Sequence, residues 1–577
     1  MLVTSWKGGP NGWLSCLASI ELTLLIGGLA LADFAWAQGV PGIPPPIVPS
    51  PPPLPELPPT PLPPPALPPT APPPVFREPL PLLRVFVKEI RVIGSTVFTP
   101  EELAKVTAPY TNREITSEDL EALRQALTLH YVNRGYLTSG AVIPDQSVVE
   151  GVLRIEIIEG KLTKIEVEGN KWFRSFYFRN RIALGADPPL NVNRLQERLQ
   201  LLQADARIER INAELRPGVA RGESALNVRV AERSPFKAWI DFNNYQAPAV
   251  GPYQGLATVA HQNVFGLGDT LSVQYGQSEG IFPNLNVRYA VPVTAYDTTV
   301  SFDYRKLNFK VVEGQFEALD IRSKFNIYGL GVRQPIIRTV NQELALSLVG
   351  NYEVNNSSLL GAPFDFVPGT SGGQAIVSVL RFGQEYVHRT SNQVISAISR
   401  FSFGLPVMGA TVNSSSGQAS GEFFSWLGQA QYARQLPQSR VQFLARTDMQ
   451  FTNHHLFLVE QIAVGGRYSV RGYREFTLVR DNAFLASGEI RIPVYTSSLG
   501  VDLVHLVPFV DYGESWNTGV STPDPLWLAS VGVGLNWNFW RGSRFEVYWG
   551  QRLNHVPNPH DDLQDYGVHI GLVVQAF

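Results

Sequence analysis

The sequence predicts a multidomain chain: two small α+β domains of β-α-α-β-β order, followed by a transmembrane antiparallel β-barrel of about sixteen strands. Three observations predict this. A unit of about 75 residues occurs twice in tandem between residues 84 and 234. Beyond residue 235 the apolar period becomes two and stays two to the end. Charged residues make up only 17% of the chain while aromatics reach 11%; soluble proteins average about 25% charge. The apolar runs of about 20 residues that helical spans require do not occur after residue 37, which excludes a polytopic helical membrane protein. A net charge of −3 offers no basic bulk for nucleic acid, and the single Cys16 excludes a disulfide scaffold.

The N-terminus reads as an address. Lys7 is followed by an apolar stretch from Leu22 to Ala32, and Ala35, Trp36 and Ala37 form a small-x-small cleavage pattern. Residues 1–37 are therefore expected to be a signal peptide, with the mature chain starting at Gln38. An uncleaved anchor is the alternative, but the stretch is short for a span. Residues 38–83 form a proline-rich linker, with 22 prolines between Pro41 and Pro81. Proline has no amide donor, so polyproline II is expected, with a reach on the order of 100 Å. A tether fits this monotonous run better than a ligand for a proline-binding domain.

Residues 84–160 and 161–234 are the two copies. Ile90, Val92 and Gly94 recur 75 residues later as Ile165, Val167 and Gly169; Leu120 and Leu127 recur as Leu195 and Leu202; Leu153 and Ile155 recur as Val228 and Val230. Each copy opens with an alternating strand. Thr99, Pro100 and Glu102 then spell an N-cap, an N1 proline and a capping-box acid. Thr116 and Asp119 start a second helix in the same way, and its counterpart in the second copy is expected over residues 193–204.

The first copy carries Gly135, Tyr136, Leu137, Thr138 and Ser139 after the second helix, then Pro144, Gln146, Gly151, Glu159 and Gly160. Singly these have plain structural readings: Gly135 a helix stop with positive φ, Tyr136 core, Pro144 a turn. In this order they resemble the periplasmic POTRA (polypeptide-transport-associated) domain of two-partner secretion transporters, the hemolysin-secretion family.

Residues 235–577 supply the strands. Leu271, Val273 and Tyr275 alternate with polar residues, as do Leu285, Val287 and Tyr289, and later Val531, Val533, Leu535 and Trp537. Segments of about ten residues with this alternation, separated by turn residues, are the signature of a transmembrane barrel, with apolar side chains toward lipid and polar ones toward the lumen. A soluble β-sandwich is the alternative, disfavoured by the low charge and the aromatic strand ends. The chain ends on Phe577, one residue out of step with the apolar parity of Val574 and Ala576.

Between the eleventh and twelfth candidate strands, residues 452–481 are too long for a hairpin turn, which marks a loop with a task. It contains Val470, Arg471, Gly472 and Tyr473, and further on stand Phe509, Asp511 and Gly513. These two motifs resemble those of the Omp85 superfamily. The resemblance implies a loop folded into the lumen whose arginine meets a wall carboxylate. An arginine fork suits that task, because it pairs bidentately and cannot be deprotonated.

Competing chemistry is weak. Gly369, Ser371 and Gly373 have nucleophile-elbow spacing, but in a connection between strands rather than between a strand and a helix. His454 and His455 lack a third ligand and are expected in an exposed loop. No metal, cofactor or catalytic residue is therefore expected. The family resemblance implies an outer-membrane translocator that captures an unfolded exoprotein with periplasmic POTRA domains and passes it through the barrel. It also implies contact with outer-membrane lipids and with the barrel-assembly machinery for its own insertion. The alternatives are an Omp85-type insertase and a passive porin.

Overall fold

The computed structural model describes residues 84–576, apart from Ser416, Arg541 and Asn558. The expected signal peptide, the whole linker and Phe577 lie outside the described residues.

The first domain runs β1 (Arg84–Val87), β2 (Glu89–Ile93), α1 (Pro100–Thr107), β3 (Arg113–Thr116), α2 (Ser117–Val132), β4 (Gly140–Val142) and β5 (Val152–Ile158). Both helices start at the capping boxes read from the sequence, with Thr99 and Glu102, and Thr116 and Asp119, exchanging bonds with each other's backbone N–H groups. β5 is central, parallel to β2 and antiparallel to β4. Leu103, Leu123, Leu127 and Tyr131 on the helices pack over Leu153, Ile155 and Ile157 of β5. The β1–β3 ladder is an addition to the expected order.

The second domain repeats the plan with β6 (Lys161–Glu168), α3 (Ser175–Ala183), α4 (Val192–Gln203), β7 (Ile208–Pro217) and β8 (Glu223–Glu232). β8 is central, parallel to β6 and antiparallel to β7. α4 starts and ends one residue before the expected span. The repeat also needs a correction. Ile90 faces Leu153 in the first copy, whereas Ile165 faces Leu226 in the second. The last strand thus recurs after 73 residues, and Leu153 corresponds to Leu226 rather than Val228. A slip of two residues keeps every side chain on its face, so the apolar pattern conceals it.

The barrel has sixteen strands. The first eight are β9 (Phe236–Asn243), β10 (Gln254–His261), β11 (Thr270–Ser278), β12 (Ile281–Pro292), β13 (Thr299–Lys310), β14 (Arg322–Arg338), β15 (Gln342–Leu359) and, after the two-residue β16 (Ala362–Pro363), β17 (Gln374–Arg389). The other eight are β18 (Gln393–Gly404), β19 (Phe424–Gln435), β20 (Gln442–Thr452) and, after a loop hairpin of β21 (Ile462–Val464) and β22 (Leu478–Arg480), β23 (Asn482–Thr496), β24 (Asp502–Trp516), β25 (Trp527–Trp540), β26 (Ser543–Arg552) and β27 (Val568–Gln575). The sheet closes, β27 pairing with β9, so no lipid-exposed edge remains. Leu271, Val273, Phe302, Leu330, Val531 and Trp537 form part of an exposed outer belt, as the alternation requires.

The closing seam is short. Its ladder has five residue pairs, from Gly571↔Asn243 to Gln575↔Trp239. The Asn244 side chain extends it, donating to the Val568 carbonyl at 2.9 Å and accepting from the Ile570 N–H at 2.7 Å. Buried Gln564 donates to the Asn244 and Gln246 carbonyls at 2.7 and 2.8 Å.

One rule of the sequence reading fails on β24. Its inward row is Val507, Phe509, Asp511, Gly513 and Ser515, all buried, and it begins with two apolar residues. The lumen wall is apolar there because it faces a packed loop rather than water.

Candidate functional site

The loop after β20 folds back into the lumen. Val464, Val470, Tyr473 and Leu478 on the loop form a dry core with Leu427, Leu485 and Leu528 of the wall. Gly513 makes room for it: a Cβ there would lie 2.6 Å from both Leu485 Cδ2 and Val464 Cγ1. Gly472 has φ +93°, a conformation that favours glycine. The Tyr473 hydroxyl donates to the Ala529 carbonyl at 2.9 Å and also meets the Asn554 side chain.

Arg471 is the centre of the site. Its Nε and Nη2 reach Asp511 Oδ2 and Oδ1, each at 2.8 Å, and its own backbone N–H adds a bond of 3.0 Å to Oδ2. Nη1 donates to Glu489 at 2.8 Å and Nη2 to Ser487 Oγ at 3.0 Å, while Ser487 donates to Asp511 at 2.6 Å. The guanidinium lies 3.7 Å over the Phe509 ring centroid. Arg471 is 3% and Asp511 1% exposed. Thus the structure brings Arg471, Phe509 and Asp511 into one contact, as the two motifs imply. Glu489 and Ser487 complete it and carry no motif signal.

The loop has three further anchors that sequence reasoning missed. Arg467 Nη2 pairs with Glu546 of β26 at 3.2 Å and stacks 3.9 Å over Tyr548. Arg474 grips Asp565 at 2.5 and 2.7 Å and Glu313 at 2.8 Å. Glu460 meets Arg381 of β17 at 2.6 Å on another part of the wall. The signal was present: three arginines within eight residues, from Arg467 to Arg474, in a chain with 17% charge. The loop tip also touches the seam, where the Glu475 N–H donates to Gln564 Oε1 at 2.8 Å.

The POTRA motif residues divide into two groups. Gly135 (φ +93°) stops α2, and its carbonyl accepts the Val192 N–H at 2.9 Å. The Gly160 carbonyl accepts the Leu190 N–H at 2.7 Å, so both glycines form the joint between the domains. The others are internal. Tyr136 packs against the first core, and the carbonyl of Gly151 accepts from Lys88 and Glu89 at 2.8 and 3.1 Å. The Gln146 side chain pairs with both the N–H and the carbonyl of Arg154, at 2.9 and 2.6 Å, covering a β5 edge that short β4 leaves open; it also bonds the Pro144 carbonyl at 3.3 Å. In the second domain β7 is the sheet margin beside α4. Gln203 of α4 already occupies its Ile211 N–H and Glu209 carbonyl, at 2.7 and 3.2 Å.

The second domain is docked on the barrel. Arg207 donates to the Gly268 carbonyl at 2.5 Å and Arg174 Nε to the Phe265 carbonyl at 2.9 Å, both in the β10–β11 turn. Arg181 pairs with Asp297 of the β12–β13 turn at 2.6 Å. Burial raises the Asp205 pKa, but the hydrogen-bonded Arg207 fork outweighs it and holds this carboxyl below its ordinary value.

The competing motifs resolve simply. Gly369, Ser371 and Gly373 lie in the β15–β17 connection, with no helix after them. His454 and His455 are half-buried rather than exposed, a correction to the expectation. His455 Nδ1 lies 2.9 Å from Asp481, a fully buried carboxylate that also accepts the Leu456 and Thr518 N–H groups. Asp561, Asp562 and Asp565 converge within 4.8 Å, but Arg474 lies 2.9, 3.4 and 2.5 Å from them.

Two POTRA domains on a closed sixteen-strand barrel, with an arginine loop bolted into the lumen, define an outer-membrane protein translocator. The family described as haemolysin secretion/activation protein ShlB/FhaC/HecB matches residues 222–537, and the POTRA domain of ShlB type matches residues 85–160. The chain belongs to the ShlB/FhaC/HecB family, the transporters of two-partner secretion, with its POTRA domains in the periplasm. It is 23% identical over 484 residues to the outer membrane transporter CdiB of Dickeya dadantii, covering 80% of this chain and 82% of that one. It is 24% identical over 515 residues to the hemolysin transporter protein ShlB of Serratia marcescens, covering 84% of each. The solved structure of CdiB from Escherichia coli has the same fold, with a TM-score of 0.65 and 21% identity over 88% of this chain and 93% of that one.

Proposed function

We propose that this translocator takes up an unfolded exoprotein at the outer edge of β7 and passes it through the lumen once the 453–481 loop withdraws. The observation that carries the reading is the Arg471–Asp511 contact, a non-covalent bolt inside a closed barrel. An extended peptide can add to β7 as a further strand, which demands little of its sequence. Arg471, with Val470, Gly472 and Tyr473, holds the loop; Phe509, Asp511 and Gly513 receive it. Gly135 and Gly160 fix the angle between the POTRA domains. We read the chain as non-enzymatic and independent of cofactors, with membrane lipids and the assembly machinery as its other partners and no nucleic acid. Its working division is a leader at 1–37, a spacer at 38–83, domains at 84–160 and 161–234, and the barrel from 235.

The test is to immobilise the loop. Tyr468 on the loop and Tyr245 beside the seam have ring centroids 5.6 Å apart. Tyr468→Cys with Tyr245→Cys, joined by a cleavable thiol crosslinker, should stop secretion, and cleavage should restore it. Unhindered passage of cargo with the loop linked would overturn the reading.

A further inference from the structure

We propose that a cleft between the second POTRA domain and the periplasmic hairpins binds the phosphate of an anionic membrane phospholipid. The cleft has a volume of about 190 Å³ and is lined by Arg181 of α3, Arg198 of α4, Asp205 just after α4, and Tyr296, Asp297 and Arg338 of the barrel hairpins. Its charges do not cancel. Asp205 is engaged by the Arg207 fork at 2.8 and 2.6 Å. Asp297 accepts from both Arg181 and Arg338. Within the lining, Arg181, Arg198 and Arg338 therefore face one remaining carboxylate, Asp297, while Glu343 outside the lining reaches only Arg338 among them, at 3.5 Å. Arg198 makes no ion pair among the described residues. Its position is specified nonetheless: a Cβ on Gly185 would fall 2.8 Å from Arg198 Cγ, so the glycine keeps that path open for the arginine stem.

The rim supplies the second half of the argument. Tyr296 is 64% and Ile336 56% exposed. Ile336 stands in a bulge of β14 beyond the lipid-facing Leu330 and Val332, where that strand leaves the belt. A cationic pocket whose mouth turns apolar toward the bilayer fits an amphiphile with an anionic head. Arg198 and Arg338 suit the phosphate, since guanidinium forks match its oxygens, and Ile336 suits the upper acyl chain. Free phosphate shares the head chemistry but makes no use of the apolar rim.

The test uses the full-length protein in nanodiscs of phosphatidylcholine containing phosphatidylglycerol, extracted into mild detergent and weighed by native mass spectrometry. The wild type should retain phosphatidylglycerol. Arg198→Gln should lower that retention about tenfold, the scale of one charge-assisted hydrogen bond. Arg194→Gln, on the exposed side of the same helix, should leave it unchanged, and unaltered heat-modifiability of the barrel will show that both variants fold. Equal retention in Arg198→Gln and wild type overturns the site. Displacement of the lipid by millimolar glycerol phosphate would overturn the membrane source and assign the cleft to a soluble phosphate; resistance to it supports the lipid.

Discussion

Gly472 at the loop tip lies directly against Gly550 of the wall. A Cβ on Gly472 would stand 2.6 Å from the Gly550 carbonyl oxygen, and one on Gly550 would stand 2.9 Å from Gly472 Cα. Neither position has space for a methyl group, and Gly472 also has positive φ. The loop and the wall meet backbone to backbone, which lets Arg471 reach Asp511 with its main-chain N–H as well as its side chain.

Gly472→Ala should therefore lift the tip. The barrel should still insert, because its ladder is untouched. Secretion should fall severely, and single-channel conductance in planar bilayers should rise as the lumen opens. Wild-type conductance and secretion would show that the wall yields and that the close approach is incidental.

The Arg471–Asp511 pair makes a sharper prediction. Breaking one partner of a buried pair costs about 3 to 5 kcal/mol, and an exposed pair is worth about 0 to 1. Arg471 and Asp511 are both buried, so the upper range applies: Arg471→Ala should weaken loop docking by about 3 to 5 kcal/mol and leave the barrel inserted. Arg471→Lys should be nearly as damaging, since lysine has no planar fork for Asp511 and stacks less well on Phe509. Asp511→Ala should match Arg471→Ala, and the double variant should be little worse than either. Full additivity in a secretion assay at matched barrel levels would mean that the residues act independently.

Cargo capture is testable along β7. Exposed positions alternate there, and Gln203 already holds the Glu209–Ile211 end. Photo-crosslinkers at Asn212 and Glu214 should trap exoprotein in transit more efficiently than one at Glu209. Adducts from lumen probes but none from β7 would place the capture edge elsewhere.

Asp297 should govern the rigidity of the junction. It sits at φ +61°, which asparagine tolerates, so Asp297→Asn removes charge with little backbone cost. Arg181 then loses its carboxylate, and Arg338 keeps only Glu343, 3.5 Å from its Nε. Limited proteolysis between the second POTRA domain and the barrel should quicken several-fold. An unchanged cleavage rate would show that the turn contacts of Arg174 and Arg207 suffice.

The spacer gives a final prediction. Replacing residues 41–81 with an equally long, extended, unrelated segment should leave secretion intact. Lost secretion with an inserted barrel would show that the proline sequence is itself recognised.

Much of this was legible in the sequence, for physical reasons. Alternation marks strands because a pleat puts successive side chains on opposite faces, and Thr99 and Thr116 mark helix starts because few residues satisfy orphan N–H groups. Arg471 and Asp511 stood out through their motifs. Ser487 and Glu489 did not, since inward polar residues on any barrel strand look alike. The 73-residue recurrence of Leu153 as Leu226 was hidden because a two-residue slip leaves polarity unchanged. The Asn244–Ile570 contact joins residues from opposite ends of the barrel, beyond the reach of any local pattern.

That last contact bears on how the barrel is made. Strand β27 is the last of the sheet in chain order and β9 the first, so closure joins the two ends of the sheet rather than neighbours in the chain. A five-pair ladder alone tolerates misalignment during this step. Asn244 needs a carbonyl on one residue of β27 and an amide two residues further on, both of which a one-residue slip would aim away from it, and that slip would also turn buried His569 outward into lipid. The seam thus proofreads its own alignment, and a ring closed out of register is one from which the chain can still escape.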